Sequence, residues 1–161
     1  MSSNRPDPGA RSGGAMEHRV RRAAAQDFGV VAALLAELGR PQLTAETEGP
    51  ARDVYLRHLS RKDTASLVAD CEGRVVGFMS LEFRDRLNRV RPQAWIPDLI
   101  VTAQYRGRGI ARALLEAGFA IAREQGCWGV TLESGYHRQA AHRLYLRVAM
   151  ADAGKYFDYP L

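Results

Sequence analysis

The segment that most limits what this chain can become runs from Leu99 to Ala111. Three consecutive apolar residues, Leu99-Ile100-Val101, read as a buried strand. They lead through Gln104-Tyr105-Arg106-Gly107-Arg108-Gly109 into an amphipathic helix that opens at Ile110 and Ala111. Alternate glycines let the backbone turn tightly and leave no Cβ between the main-chain N–H groups and an approaching ligand. The first turn of the following helix adds unpaired N–H donors and the positive end of the helix dipole, so strand, turn and helix together form an anion site suited to a pyrophosphate. Arg106 and Arg108 either add charge to that site or point into water. The turn fits neither of two common phosphate loops. Arg112 stands where a dinucleotide-binding fingerprint requires a third small residue, and the Gly-Lys-Ser/Thr of a nucleotide-triphosphate loop is absent.

The rest of the chain supplies a mixed fold around that turn. Its 161 residues, 46% hydrophobic and 25% charged, suit one soluble domain. Residues 1–17 are rich in Ser, Pro and Gly and read as a disordered tail, leaving 18–161 as a single domain. Arg19 to Ala25 reads as an edge strand. Asp27 reads as the cap of a helix whose apolar face is Phe28, Val31, Leu34, Leu35 and Leu38, closed by Gly39 and Pro41. Pro50 is expected to start a second helix carrying Val54, Leu56 and Leu59. Ala65–Asp70 and Arg74–Phe83 form a hairpin turning at Cys71-Glu72-Gly73, with Gly73 at the position needing positive φ. A strand from Ala94 to Thr102 contains Pro97, which cannot donate to a ladder and marks a bulge or a separation of neighbours. Then come a helix from Gly107 to Gln125, a strand from Trp128 to Glu133, a helix from Arg138 to Arg147 and an extended segment from Gly154 to Tyr159.

Charge and cysteine usage exclude several classes. The net charge is +5, but the 23 basic residues are scattered among acids, as in Arg84-Asp85-Arg86, which argues against a nucleic-acid footprint. No segment has the ~18 apolar residues of a membrane span and no signal segment opens the chain, so a cytoplasmic protein is expected. Cys71 and Cys127 read as free thiols. His137 and His142, five residues apart, do not form a one-face metal pair, and no metal is expected.

The segment Gln104-x-x-Gly107-x-Gly109, following Asp98-Leu99-Ile100-Val101, resembles the acetyl-CoA signature of the GNAT superfamily of N-acetyltransferases. Downstream, Leu132-Glu133-Ser134-Gly135, Arg138, Ala141-His142-Arg143 and Leu144-Tyr145 are similar to that family's closing strand and helix. The likeness implies an α/β (α+β) fold with a mixed, mostly antiparallel central sheet flanked by helices, and two parallel central strands that splay apart to admit the pantetheine. It implies transfer of acetyl from acetyl-CoA to an amine by direct attack in a ternary complex. By the family's pattern the Leu99 N–H polarises the thioester carbonyl, Val101 pairs with the pantetheine amides and Tyr145 protonates the departing thiolate. Leu99, Ile100, Val101, Gln104 to Ala111 and Arg138 would contact the cofactor. Trp95 stands where some relatives carry a glutamate base, leaving Asp98, and less directly Glu133, as candidates. Leu146-Arg147-Val148-Ala149-Met150 departs from the usual ending in Gly-Phe. Glu46, Glu48 and Asp85 are expected to draw in a cationic amine, with acceptor choice set by the loop between the first two helices, by Arg84–Gln93 and by the carboxyl-terminal segment. A silent acyl-CoA sensor and a basic nucleic-acid binder are the rival readings, and dimers are common among similar enzymes.

Overall fold

The computed structural model describes residues 17–154, so the expected amino-terminal tail and nearly all of the expected terminal extended segment lie outside the described residues. Among those residues six strands form one sheet, with α1 (Phe28–Leu38) and α2 (Ala45–Ser60) on one face and α3 (Ile110–Glu124) on the other. The path runs β1 (Arg19–Arg22), β2 (Thr64–Cys71), β3 (Arg74–Arg84), β4 (Gln93–Ile96) and β6 (Gly129–Leu132), while β5 (Leu99–Val101) pairs with β3 beyond the end of β4. Only β4 and β6 are parallel; the other pairings are antiparallel.

The alternation of each strand sorts its side chains between two cores. Leu67, Met79, Leu81, Ala94 and Ile96 meet Leu114, Leu115 and Ile121 of α3. Val68, Phe78 and Ile100 meet Phe28, Val31, Leu34 and Tyr55 of the first two helices. Gly118 permits close approach of α3, because a Cβ there would stand 2.4 Å from the end of Met79.

The β2–β3 hairpin turns where expected, with Glu72 as well as Gly73 at positive φ, the geometry of a tight two-residue turn. Helix α1 ends at Gly39 in the left-handed conformation, also as expected. Its start differs. The Asp27 carboxylate makes no cap bond to α1; it turns back to accept the Ala24 N–H and two bonds from Arg21, at 2.7 and 2.9 Å.

The second helix departs furthest from expectation. It begins at Ala45, behind Thr44, whose N–H bonds the Thr47 hydroxyl, and Pro50 lies inside it. The face turned to the core is Ala51, Tyr55 and Leu59, so Val54 and Leu56 are exposed and only Leu59 of the expected set packs inward. The first turn touches no core, which deprives it of apolar periodicity.

The strand expected from Ala94 to Thr102 is divided at Pro97. Glu82 pairs with Trp95 and Met79 with Leu99, so Ser80 and Leu81 stand against Ile96, Pro97 and Asp98. One extra residue on that side makes a bulge. Pairing of β4 with β6 ends at Ile96 and Leu132, and β5 continues along β3 alone. The parallel neighbours therefore part beyond Ile96. Helix α3 starts three residues later than expected because Gly107 and Gly109 both take positive φ, and α4 spans Gln139–Arg147.

Candidate active site

Where β5 runs on past the end of the β4–β6 pairing, the register decides which backbone groups face the opening. Thr102 donates to the Val76 carbonyl and Ser80 to the Asp98 carbonyl, which makes Thr102 and Asp98 members of hydrogen-bonded pairs with β3. Residues between such pairs alternate in direction. The N–H groups of Leu99 and Val101 thus point away from β3, toward the side that β6 has vacated, while the Ile100 side chain enters the core beneath α1 and α2. The Val101 carbonyl is already engaged, accepting the Arg106 Nε–H at 2.8 Å.

The turn after β5 has the shape an anion needs. Gly107 has φ of 75° and Gly109 of 82°, and a Cβ built on either meets no protein atom within 4 Å. Gly109 is the N-cap of α3, whose first intrahelical bond runs from the Ala113 N–H to the Gly109 carbonyl. The N–H groups of Ile110, Ala111 and Arg112 therefore precede the helical ladder. Arg108 lies 5.2 Å from the centre of the Tyr105 ring. Gln104 and Tyr105 sit in a short 3-10 turn between β5 and the glycines.

The last turn of α1 ties this opening together, and nothing in the sequence pattern had marked it. The Glu37 carboxylate accepts the Ala103 N–H at 2.8 Å, the Thr102 hydroxyl at 2.7 Å and an Arg106 guanidinium N–H at 2.9 Å. The Leu38 carbonyl accepts Arg138 at 2.6 Å, at the mouth of α4. Just beyond the helix, Arg40 donates to Asp98 at 2.7 and 2.9 Å and to the Pro97 carbonyl at 3.0 Å. Arg106 and Arg138 are thus braces of the surrounding protein in this structure, whatever else they touch.

Tyr145 projects from α4, half-buried beside the core of α3. Burial pushes its phenol above the ordinary value, against smaller opposing effects of a hydrogen bond with Ser134 and of the Arg138 charge. Ser134 is in turn 3.1 Å from His142 Nε2. After Tyr145 the chain closes with the Met150 N–H on the Tyr145 carbonyl and with Ala149 at φ 64°. A non-glycine residue in this left-handed helix end is the structural counterpart of the departure at Leu146–Met150.

A cavity of about 480 Å3 lies on the α1–α2 face and reaches Trp95, Pro97 and Asp98 at one end. It holds Ser66, Ser80, Glu82 and His58 as well. Ser80 donates to Asp98 at 3.2 Å, and Trp95 Nε1–H donates to Glu133 at 2.6 Å while Arg84 stacks on the Trp95 ring. Glu133 thus serves the Trp95 wall. His58 has its Nδ1 3.2 Å from the Ser66 hydroxyl, while its Nε2 is buried without a partner. Burial holds its imidazole below the ordinary value. The loop after α1 supplies Arg40, Pro41 and Leu43 to this cavity, but Glu46, Glu48 and Asp85 do not line it. Its acidic members are Glu82 and Asp98.

Among the described residues no helix is long and apolar enough to cross a membrane. No group of three or more His, Cys, Asp or Glu residues there is placed to hold a metal ion.

Comparison with known proteins agrees with this geometry. The chain is 33% identical over 105 residues to N-acetyltransferase 8F1 of Mus musculus, covering 65% of this chain and 47% of that protein. It therefore spans about half the length of the first curated relatives it matches. It is 30% identical over 128 residues to an aminoalkylphosphonate N-acetyltransferase of Salmonella typhimurium, covering 80% of this chain and 81% of that one. The fold superposes on an acetyltransferase from Agrobacterium tumefaciens with a TM-score of 0.78 at 25% identity, over 89% of this chain and 99% of that one. A profile of the acetyltransferase (GNAT) family matches residues 31–150. With that match across most of its length, and with a split sheet and glycine turn of the kind its motifs imply, the chain belongs to the acetyltransferase (GNAT) family.

Proposed function

We propose that the protein transfers the acetyl group of acetyl-CoA to a primary amine by direct attack while both substrates are bound. The observation that carries this reading is the divided strand: Leu99 and Val101 turn their N–H groups into the space left by β6, next to a glycine turn shaped for an anion. The pantetheine arm would lie along β5 in place of a neighbouring strand, with the Val101 N–H donating to an amide carbonyl. The diphosphate would meet the N–H groups from Gly107 to Ala111 and the amino end of α3.

In this arrangement the Leu99 N–H donates to the thioester oxygen as negative charge gathers there. The amine nitrogen forms its bond to the carbonyl carbon, the carbon–sulfur bond breaks, and the electron pair leaves with sulfur. Tyr145 gives its phenolic proton to that thiolate. The raised phenol suits the role, since it keeps the proton available throughout the neutral range. Asp98, held by Arg40 and Ser80 at the end of the cavity, attracts the ammonium group and takes one proton so that the nitrogen has a free pair for attack; the second proton, released once the carbon–nitrogen bond has formed, replaces the one Tyr145 gives to sulfur.

Acetyl-CoA at 100 times its dissociation constant should stabilise the protein by ~2.7 kcal/mol. Thermal denaturation against a panel of nucleotides, paired with thiol release on adding amines, tests the reading. Equal stabilisation by all nucleotides, or none by acetyl-CoA, overturns it.

A further inference from the structure

The cavity on the α1–α2 face is built for an acceptor that carries little charge apart from its amine. Its inner wall is Phe28, Val31 and Phe78, each at most 5% exposed, whereas Leu43 and Val54 at the rim stand 39% and 56% exposed. Apolar side chains left in water around a concave apolar surface mark a place where a ligand removes that surface from solvent. The charged groups are few and mostly engaged. Arg40 is paired with Asp98, Glu82 with Arg84, and His58 is held toward its neutral form by burial. A polyamine or a polyhydroxylated sugar amine would find too few partners here for its further polar groups.

Besides Arg40, His58 and Glu82, the cavity's polar members are Ser66 on β2, Ser80 on β3 and Asp98 at the bulge before β5, with Ser80 donating to Asp98. Asp98 precedes Leu99 directly, so the cavity's polar end and the site proposed for the thioester are neighbours in the chain. An occupant with one cationic end and a hydrocarbon body matches both halves of the surface.

Taking the acetyltransferase reading as its basis, we infer that the acceptor is a primary amine on an apolar body, of the kind represented by n-hexylamine or 2-phenylethylamine. Its nitrogen lies at Asp98 and its hydrocarbon against Phe28, Val31 and Phe78.

The test is a homologous series from ethylamine to octylamine, whose members differ in chain length and hardly in basicity. Each methylene drawn from water into the cavity should raise kcat/KM about threefold to fourfold until the space is filled. Val54→Glu, at the exposed rim, should flatten that rise, and hexylamine binding to the protein–CoA complex should weaken about tenfold in the same variant by calorimetry. A flat series, faster turnover of spermidine, an aminoglycoside or a lysine peptide, or hexylamine binding indifferent to Val54→Glu overturns the substrate class while leaving acetyl transfer standing. Chain-length-dependent amine binding with no acetylation of any amine supports the class and overturns the transfer reading instead.

Discussion

The Glu37 carboxylate, on the last turn of α1, accepts a hydrogen bond from the Arg106 guanidinium at 2.9 Å across 69 residues of chain. The same carboxylate holds the Ala103 N–H and the Thr102 hydroxyl, so one acidic side chain sets the position of the segment leading into the glycine turn.

Replacing Glu37 by Ala should therefore weaken acetyl-CoA binding more than it weakens the fold. Glu37 and Arg106 are each partly exposed, and such pairs contribute only ~0.2–1 kcal/mol to stability. Loss of the fixed turn should raise the acetyl-CoA dissociation constant about tenfold, a difference of ~1.4 kcal/mol in binding. Calorimetric titration with parallel melting curves measures both, and unchanged affinity refutes the bracing role.

Gly109→Ala places a side chain at φ 82°, at a strain of ~1–2 kcal/mol, without striking any protein atom. That strain is carried by the free and the bound protein alike and lowers stability, so a loss of acetyl-CoA affinity comes from the methyl group facing the ligand. A tenfold or greater rise in the dissociation constant is expected, with no change in secondary structure by circular dichroism.

Tyr145→Phe should lower kcat by ~100-fold or more, the usual contribution of a positioned proton donor, and leave acetyl-CoA affinity within twofold. The phenol is raised above its ordinary value of 10.0, and the acid must be protonated to act. Any fall in the wild-type rate that Tyr145→Phe abolishes should accordingly set in at a higher pH than an ordinary phenol would give. Full activity in the variant would remove Tyr145 from the chemistry.

His58 makes stability depend on pH in a definite direction. Its native imidazole resists protonation because it is buried, although Glu82, Asp98 and Asp63 oppose that effect and Arg61 adds to it. The unfolded chain binds a proton near pH 6.5, so stability is full above that value and is lost as pH falls toward the lower native value. His58→Gln should reduce the loss between pH 7 and pH 5.5, by less than ~1.4 kcal/mol per pH unit. Urea denaturation of both proteins at the two pH values checks this; equal losses contradict it.

Ala149→Gly should stabilise the protein by about 1 kcal/mol, since Ala149 holds φ 64° where glycine has no steric penalty, less the entropy that glycine loses on folding. A lower melting temperature in the variant contradicts the assignment of strain to this helix end.

What the sequence made legible was whatever is encoded locally. The run Leu99-Ile100-Val101, the two glycines and the interruption at Pro97 each constrain their own backbone, and the divided strand follows from them. Helix α3 was readable as an amphipathic helix, and the structure turns Ile110, Leu114, Leu115 and Ile121 inward. Helix α2 was misread in extent because its first turn, Ala45 to Gly49, is exposed and Pro50 looks like a beginning. Its inward face was misread because Tyr55 rather than Val54 or Leu56 enters the core, with its hydroxyl donating to the Ala24 carbonyl at 2.8 Å. Glu37, Arg40 and His58 carry no signature in the sequence for a different reason. Glu37 and Arg40 act on residues distant in sequence and His58 is set apart by its burial, neither of which a local pattern shows.

Helix α1 divides its labour by face. Val31, Ala32 and Leu35 line the cavity, whereas Glu37 and the Leu38 carbonyl fasten the segment before the glycine turn and the start of α4. Ala32 and Leu35, which unlike Val31 are not fully buried, can be recut to admit longer, shorter or branched guests without loosening the second set. A library confined to those two positions would reshape the cavity while the segment that Glu37 holds stays in place.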